Sequence, residues 1–389
     1  MKRRLVTILL LLLYFMLVGC NLPTKIPIQE TQNILVAGID AKGSQIKLTI
    51  MVDTMPQGDG SEGKHGTMVY EETADTIYEA KRKLHSHTDK YITWAHLQYI
   101  IIGERTARMG VDSFLDFFYR NHENHMSDAL AIAYGVEASE FIKRTNTEDV
   151  SLTEKLNQVF HEADRLSLPK MTRLLDYASS LKKEGIDPLM PCLKLHEPLK
   201  TNEKAVSDDD EEKKMDVILS GYALFQKDKM IATVENEGVG AINWMMNTTE
   251  TTDLVVTSKS GATVSMEVVC AYTKIDVDYD HNKVNVTIEF ESNLAEYRGN
   301  DKLINRESLT HLKNEQNKII QTVIQQTMEY LQDTQCDVIG LGNIYYHHDP
   351  VKWQDIKNDW RQHFSELELN IMVESNIQRS YDVLESMDS

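Results

Sequence analysis

The stretch LQYIIIGERTARMGVDSFLDFFYRNHENHMSDALAIAY, residues 97–134, decides the class of fold. Residues 97–102 are an Ile-rich apolar run closed by Gly103, too short for a helix and rich in β-branched side chains, so they read as a buried strand. Val111, Phe114, Leu115 and Phe118 then recur at helical spacing, with Asp112 at a capping position. Residues 128–134, DALAIAY, return to a strand. Upstream, Ile77, Ala80, Lys81 and Leu84 give a helix with one apolar face. Helix–strand–helix–strand predicts a mixed sheet covered by helices.

Working outward, NILVAGID and QIKLTIMVD flank the turn residues Ala41, Lys42, Gly43 and Ser44, and Ile46, Leu48, Ile50 and Val52 alternate strictly, which predicts a hairpin. Residues 55–66 are a Gly- and Pro-containing polar loop. Residues 137–184 read as mainly helical, with Pro169 opening a new segment. Asp208 to Glu212 are five consecutive acids, which repel one another and bury nothing, so they mark a solvated linker. A second hairpin surrounds Gln226 to Lys229, and residues 263–277 and 283–295 read as two further strands. The longest helix signal covers 307–333, with Leu309, Leu312, Ile319, Val323, Met328 and Leu331 on one face. Asp349-Pro350 supplies a cap and a Pro at the first helical position, followed by Trp353, Ile356, Trp360 and Phe364 on one side. Leu367, Leu369, Ile371 and Val373 alternate as a closing strand.

The expected class is therefore α+β: several mixed, largely antiparallel sheets flanked by helices, in three domains. The expected divisions are a leader at 1–19, a tether at 20–32, an N-terminal α/β domain at 33–197 and an acidic linker at 198–214. A middle hairpin region follows at 215–260, and a C-terminal α/β domain with the long helix and closing strand at 261–389.

The leader carries its own chemistry. Lys2, Arg3 and Arg4 precede an almost unbroken apolar run from Leu5 to Val18, which ends in Leu17-Val18-Gly19-Cys20. A basic start, a short apolar core and small residues before a cleavage point make a secretory signal. The run is shorter than the about 20 residues a spanning helix needs. The Cys directly after Gly19 makes this a lipoprotein signal: cleavage after Gly19 leaves Cys20 as the acylated first residue. The chain has 41 Lys and Arg against 60 Asp and Glu, a net charge of −19, and loses three cations with its leader. That balance argues against nucleic-acid binding, which needs basic stripes. It also argues against overall charge-driven adhesion to anionic lipid.

Cys192, Cys270 and Cys336 are scattered and odd in number, so they do not form a disulfide framework and are expected buried; a single Cys192–Cys270 or Cys270–Cys336 bridge stays open. The His pairs at His85 and His87, His122 and His125, and His347 and His348 stand outside any H-E-x-x-H frame and read as surface or capping groups, while His96, before a strand, is expected buried. G-x-S-x-G, P-loop and G-x-G-x-x-G motifs are missing, and Gly340-Leu341-Gly342 reads as a turn needing positive φ. No metal site, cofactor or catalytic constellation is expected.

Three segments carry a family likeness. The first is QCDVIGLGNIYYHHDPVKWQDIKNDW with the closing Ile377-Gln378-Arg379, which holds D-x-x-G-x-G and P-x-x-W-x-x-I-x-x-x-W. The second is His96 with IIIGERTARMGVDSFLDFFYRN. The third is the GYALFQKDK hairpin. Together with the lipobox, these resemble the C-subunit lipoproteins of the germinant receptors of endospore-forming bacteria. Asn21-Leu22 in place of a Trp-Asp pair, Ser380 in place of a Gly, and the acidic insertion depart from that pattern. The resemblance implies a three-domain lipoprotein on the outer face of the inner spore membrane, held by diacylglycerol and an N-acyl chain (such as palmitate) on Cys20. It implies two membrane partners, an A and a B subunit, and no catalytic role.

Two function classes follow. The first is a non-enzymatic receptor subunit that acts through surfaces. The candidates for partner contact are Glu104, Arg105 and Arg120 in one segment and Trp353 and Trp360 in the last helix, although a Trp stripe at helical spacing reads first as core. The second is a solute-binding lipoprotein delivering a nutrient to a transporter, which would need two similar lobes and a hinge. A lipid-anchored hydrolase lacks a nucleophile and base.

Overall fold

The computed structural model describes residues 30–54, 66–147, 150–198, 215–299 and 305–380. The leader with Cys20, the loop at 55–65 and residues 199–214 of the acidic run lie outside the described residues.

The first sheet begins as the alternation predicts. β1 (Thr31–Lys42) turns at Gly43, φ 63°, into β2 (Gln45–Thr54), with Ile39 opposite Leu48. The chain continues through β3 (Gly66–Ala74), α1 (Ile77–His87), β4 (Tyr91–Thr93), β5 (Tyr99–Gly103), α2 (Glu104–Met109), α3 (Asp112–Arg120) and β6 (Ala129–Ala133). α4 (Ala138–Thr145), α5 (Leu152–Arg165), β7 (Thr172–Arg173) and α6 (Leu174–Lys182) lead to β8 (Leu189–His196). β9 (Asp216–Gln226) and β10 (Lys229–Glu235) complete the sheet. Its order is β10-β9-β8-β6-β5-β1-β2-β3, with β4 beside β1 and β7 beside β6. β1, β5, β6 and β8 run parallel, which is why they are apolar on both faces. α1, α3 and α6 pack on one face, over Ile39, Ile100 and Ile132; α4 and α5 pack on the other, over Val36, Ile101 and Ala131. Each Ile or Val so buried contributes roughly 1.5–3 kcal/mol.

The acidic run, read as a boundary, joins β8 to β9, and these are antiparallel neighbours from Leu189↔Leu224 to His196↔Asp216. The hairpin β9–β10 therefore extends the first sheet rather than opening a middle one. A charge run shows that a segment is solvated; it does not distinguish a linker from a long strand connection.

α7 (Glu237–Met245) leads to the second sheet: β11 (Thr252–Thr257), β12 (Thr263–Asp278), β13 (Lys283–Arg298) and β14 (Glu368–Ser380), in that order. β13 and β14 are parallel, so a crossover must join them. It is α8 (Arg306–Asp333), followed by α9 (Leu341–His348), α10 (Pro350–Ile356) and α11 (Trp360–Ser365). α8 buries Leu312, Gln316, Ile320, Ile324, Met328 and Leu331; the expected Leu309, Ile319 and Val323 sit half-buried on its shoulder. The stripe is rotated because Gln316 is held inside, accepting from Ser292 Oγ (3.0 Å) and donating to Ser375 Oγ (2.7 Å). Tyr222, Leu224 and Val234 of the first sheet share one apolar cluster with α7, α8 and the second sheet. The two sheets differ in size and pattern and are not the paired lobes of a hinged solute binder.

Candidate partner-binding groove and the junction behind it

α1 and α3 stand side by side on one face of the first sheet. Between them runs a groove of about 900 Å³, from the β1–β2 turn at Gly43 and Ser44 to Tyr91 and Glu123. α3 turns Leu115 and Phe118 inward, which leaves Phe114 and Phe117 half-buried on the groove wall. Tyr78 and Met109, 63 % and 52 % exposed, complete an apolar lining. Trp94 backs this wall, edge-on to Phe117 and Phe118 at 5.3 and 5.6 Å. Lys81 and Glu123 meet at the groove at 3.5 Å. Burial alone would raise the Glu123 carboxyl, but the Trp94 amide (2.8 Å) and Lys81 carry it below its ordinary value. Burial lowers Lys81, and its single long ion pair does not offset that. The Trp94 amide, with the Thr93 hydroxyl at 3.2 Å, holds Glu123 in place beside this long ion pair.

A second crevice of about 630 Å³ adjoins the groove at Ala41 and Met109. It lies at the carboxyl ends of β1, β5 and β6, where sheets of this kind open. Asp40 accepts from the Ala138 and Ser139 amides at 2.8 and 2.9 Å and so pins the start of α4. A Cβ on Gly103 would lie 2.2 Å from Asp40 Oδ1, so only Gly fits where β5 passes into α2. Glu104 holds Arg108 at 2.7 Å and accepts from the Gly135 amide at 3.0 Å. Arg105 is exposed on the crevice wall, and Arg120 is exposed on α3, paired with Asp116 at 2.8 Å. The segment expected to meet a partner thus lines both cavities.

The other expected surface turns inward. Residues 357–359 form a 3-10 turn, so the last helix is two short ones, and Trp353 and Trp360 face the interior from different segments at 1 % and 7 % exposure. Neither can meet a partner while the fold is intact. Trp360 Nε1 donates to Asp337 Oδ2 at 3.1 Å. Asp337 also accepts from the amides of Gly340, Leu341 and Gly342 at 2.8, 2.9 and 2.8 Å. Burial pushes its carboxyl up to about 7 in spite of these donors. Asp187, just ahead of β8, takes Arg361 in a two-pronged pair at 2.7 and 2.9 Å and accepts from the Asp337 amide at 2.9 Å. Gly185 and Gly342 press together: a Cβ on Gly342 would lie 2.6 Å from Gly185 Cα and 2.6 Å from Trp360. The D-x-x-G-x-G and Trp motifs are therefore the joint between the two sheets. Sequence reasoning missed Asp187, Gly185 and Arg361, whose partners lie more than a hundred residues away or carry no local pattern.

Other expectations are corrected. His96 is exposed, because the strand begins only at Tyr99. Cys270 is exposed on β12, a strand with one open face, while Cys192 and Cys336 are buried, and all three are free thiols. Asp112 lies inside the first turn of α3, with Val111 at the cap position and no side-chain cap bond. Gly340 does take a positive φ, 82°, and Asp349 does cap α10 through the Val351 and Lys352 amides. Among the described residues no group of three His, Cys, Asp or Glu could hold a metal, and no helix is long and apolar enough to cross a membrane.

Two unlike sheets, a joint between them and an aromatic groove on the first define a class: an α+β protein of two mixed sheets flanked by helices. The sequence profile described as "Spore germination protein N-terminal domain" matches residues 24–195, and that described as "Spore germination B3/ GerAC like, C-terminal" matches residues 220–381. Spore germination protein KC of Bacillus subtilis (strain 168) is 24 % identical over 336 residues, 83 % of this chain and 81 % of that protein. The putative spore germination protein YfkR of the same organism is 22 % identical over 375 residues, 94 % of each chain. The crystal structure of the GerBC protein shares the fold, with a TM-score of 0.56 and 21 % identity over 88 % of this chain and 96 % of that one. The chain belongs to the GerAC-type family, the C subunits of germinant receptors.

Proposed function

We propose that this chain is a non-enzymatic C subunit tethered through an acylated Cys20 to the outer face of the inner spore membrane. There it works in a germinant receptor beside integral A and B subunits. The observation that carries the reading is the match to both family profiles in order, the first starting at residue 24, four residues beyond the lipobox Cys. The groove between α1 and α3 supports a docking role, since half-exposed aromatics and Met in a preformed cleft are the chemistry of protein recognition. Nutrient sensing and triggering then depend on the assembly, with this subunit supplying contacts.

Affinity capture from dormant-spore membranes tests the reading, and the two membrane subunits are the expected companions. Cys20→Ser is the second test. More than one acyl chain gives durable anchoring, and the variant carries none, so it should leave the membrane fraction and germination should slow or stop. Full germination with the protein in the soluble fraction would show the anchor to be dispensable.

A further inference from the structure

We propose that the amino-terminal end of the first sheet is a membrane-apposed face, resting on lipid headgroups beside the anchor; this rests on the Cys20 reading above. Two observations place it there. The first is where the chain enters. The eleven residue steps from Cys20 to Thr31 span at most about 40 Å, and Thr31 pairs with Tyr91 at the start of β1 and β4. Whatever lies at that end is held within a tether length of the bilayer.

The second is what this end exposes. Leu175 donates its amide to the Met126 carbonyl at 2.9 Å, which sets the two side chains together at the start of β6 and α6, 52 % and 38 % exposed. Tyr91 is exposed beside the entry point, and an amphipathic ring suits a headgroup layer. From β1 across β5 and β6 to β7 is three strand steps, roughly 15 Å, so these groups form one face.

The test uses full-length acylated protein with Cys270→Ser, which removes the exposed thiol. A bimane label is placed at Met126→Cys, at Leu175→Cys or at Ser44→Cys. Ser44 lies at the far end of the twelve-residue β1, roughly 40 Å away. The vesicles are of phosphatidylethanolamine and phosphatidylglycerol with a spin-labelled lipid as quencher. Flotation reads the anchor and quenching reads the face. Labels at 126 and 175 should be quenched at least two-fold more than the label at 44. Protein that does not float overturns the anchor reading and this face with it. Protein that floats, with labels at 126 and 175 quenched no more than the one at 44, overturns the face alone and leaves the patch to a protein partner.

Discussion

Asp337 sits where two demands conflict. It is fully buried, which disfavours charge, yet four N–H groups converge on its two oxygens, which favours it. Burial prevails and the carboxyl rises from 3.8 to about 7. Between those values the folded protein keeps a proton that the unfolded chain releases, so the contribution to stability is complete below about 3.8 and is lost as pH rises through about 7. Asp337→Asn should cost on the order of 2 kcal/mol or more at pH 5, because an amide nitrogen would face N–H donors. The gap between parent and variant should narrow toward pH 7.5. Urea unfolding at both pH values checks this. Other raised carboxyls, such as Asp128 at about 6, remain in both proteins, so only the difference is diagnostic. An equal gap at both pH values would refute the titration of Asp337. The residues of this joint were partly visible in the sequence as spacing: Asp337, Gly340 and Trp360 stand in a recognisable motif. Their purpose was not, because Asp187 and Arg361 are brought to them only by the packing of one sheet on the other.

The elements that could be read were those with long periods. β2, β12, β13 and α8 each repeat a pattern over ten residues or more, and all four stand where alternation or helical spacing puts them. β3 escaped notice because an edge strand is half-exposed and carries Glu71 and Glu72 in its middle, which blurs the period of two. α2 is six residues, shorter than two turns, and shows no period. The buried face of α8 lies a fraction of a turn from the one its apolar residues alone mark out, because a polar residue belongs to it. Gln316 bridges Ser292 on β13 and Ser375 on β14 through the apolar layer. Replacing it by Leu keeps the volume and loses both bonds. The two hydroxyls are left buried without that partner, so Gln316→Leu should destabilise by about 1–3 kcal/mol. Thermal or urea unfolding reads the effect. A variant as stable as the parent would mean that water or an alternative rotamer satisfies both serines, and that the Gln is there for packing alone.

At the scale of the molecule, the joint and the apolar cluster shared by both sheets hold the groove in a fixed relation to the rest of the chain. A rigid scaffold can present a preformed cleft at little ordering cost, and this favours contact through the groove over contact through a segment that must fold on binding. Charge there is of small consequence. Arg120 pairs with Asp116 in full solvent, and such a pair contributes little, so Arg120→Ala should change assembly only slightly. The apolar lining is where affinity should reside. Met109 borders both cavities and is exposed, so Met109→Arg can be accommodated without disturbing the core. In a docked complex it would bury an unpaired cation. Binding to the membrane subunits should weaken at least ten-fold, about 1.4 kcal/mol, with the melting temperature of the isolated subunit unchanged. Met372→Arg, on the exposed side of β14, is the matched control and should leave capture intact. Equal recovery of the membrane subunits with Met109→Arg and with the control would move the partner surface away from the groove, and equal loss with both would mean that the added charge acts through the net field and not through a site.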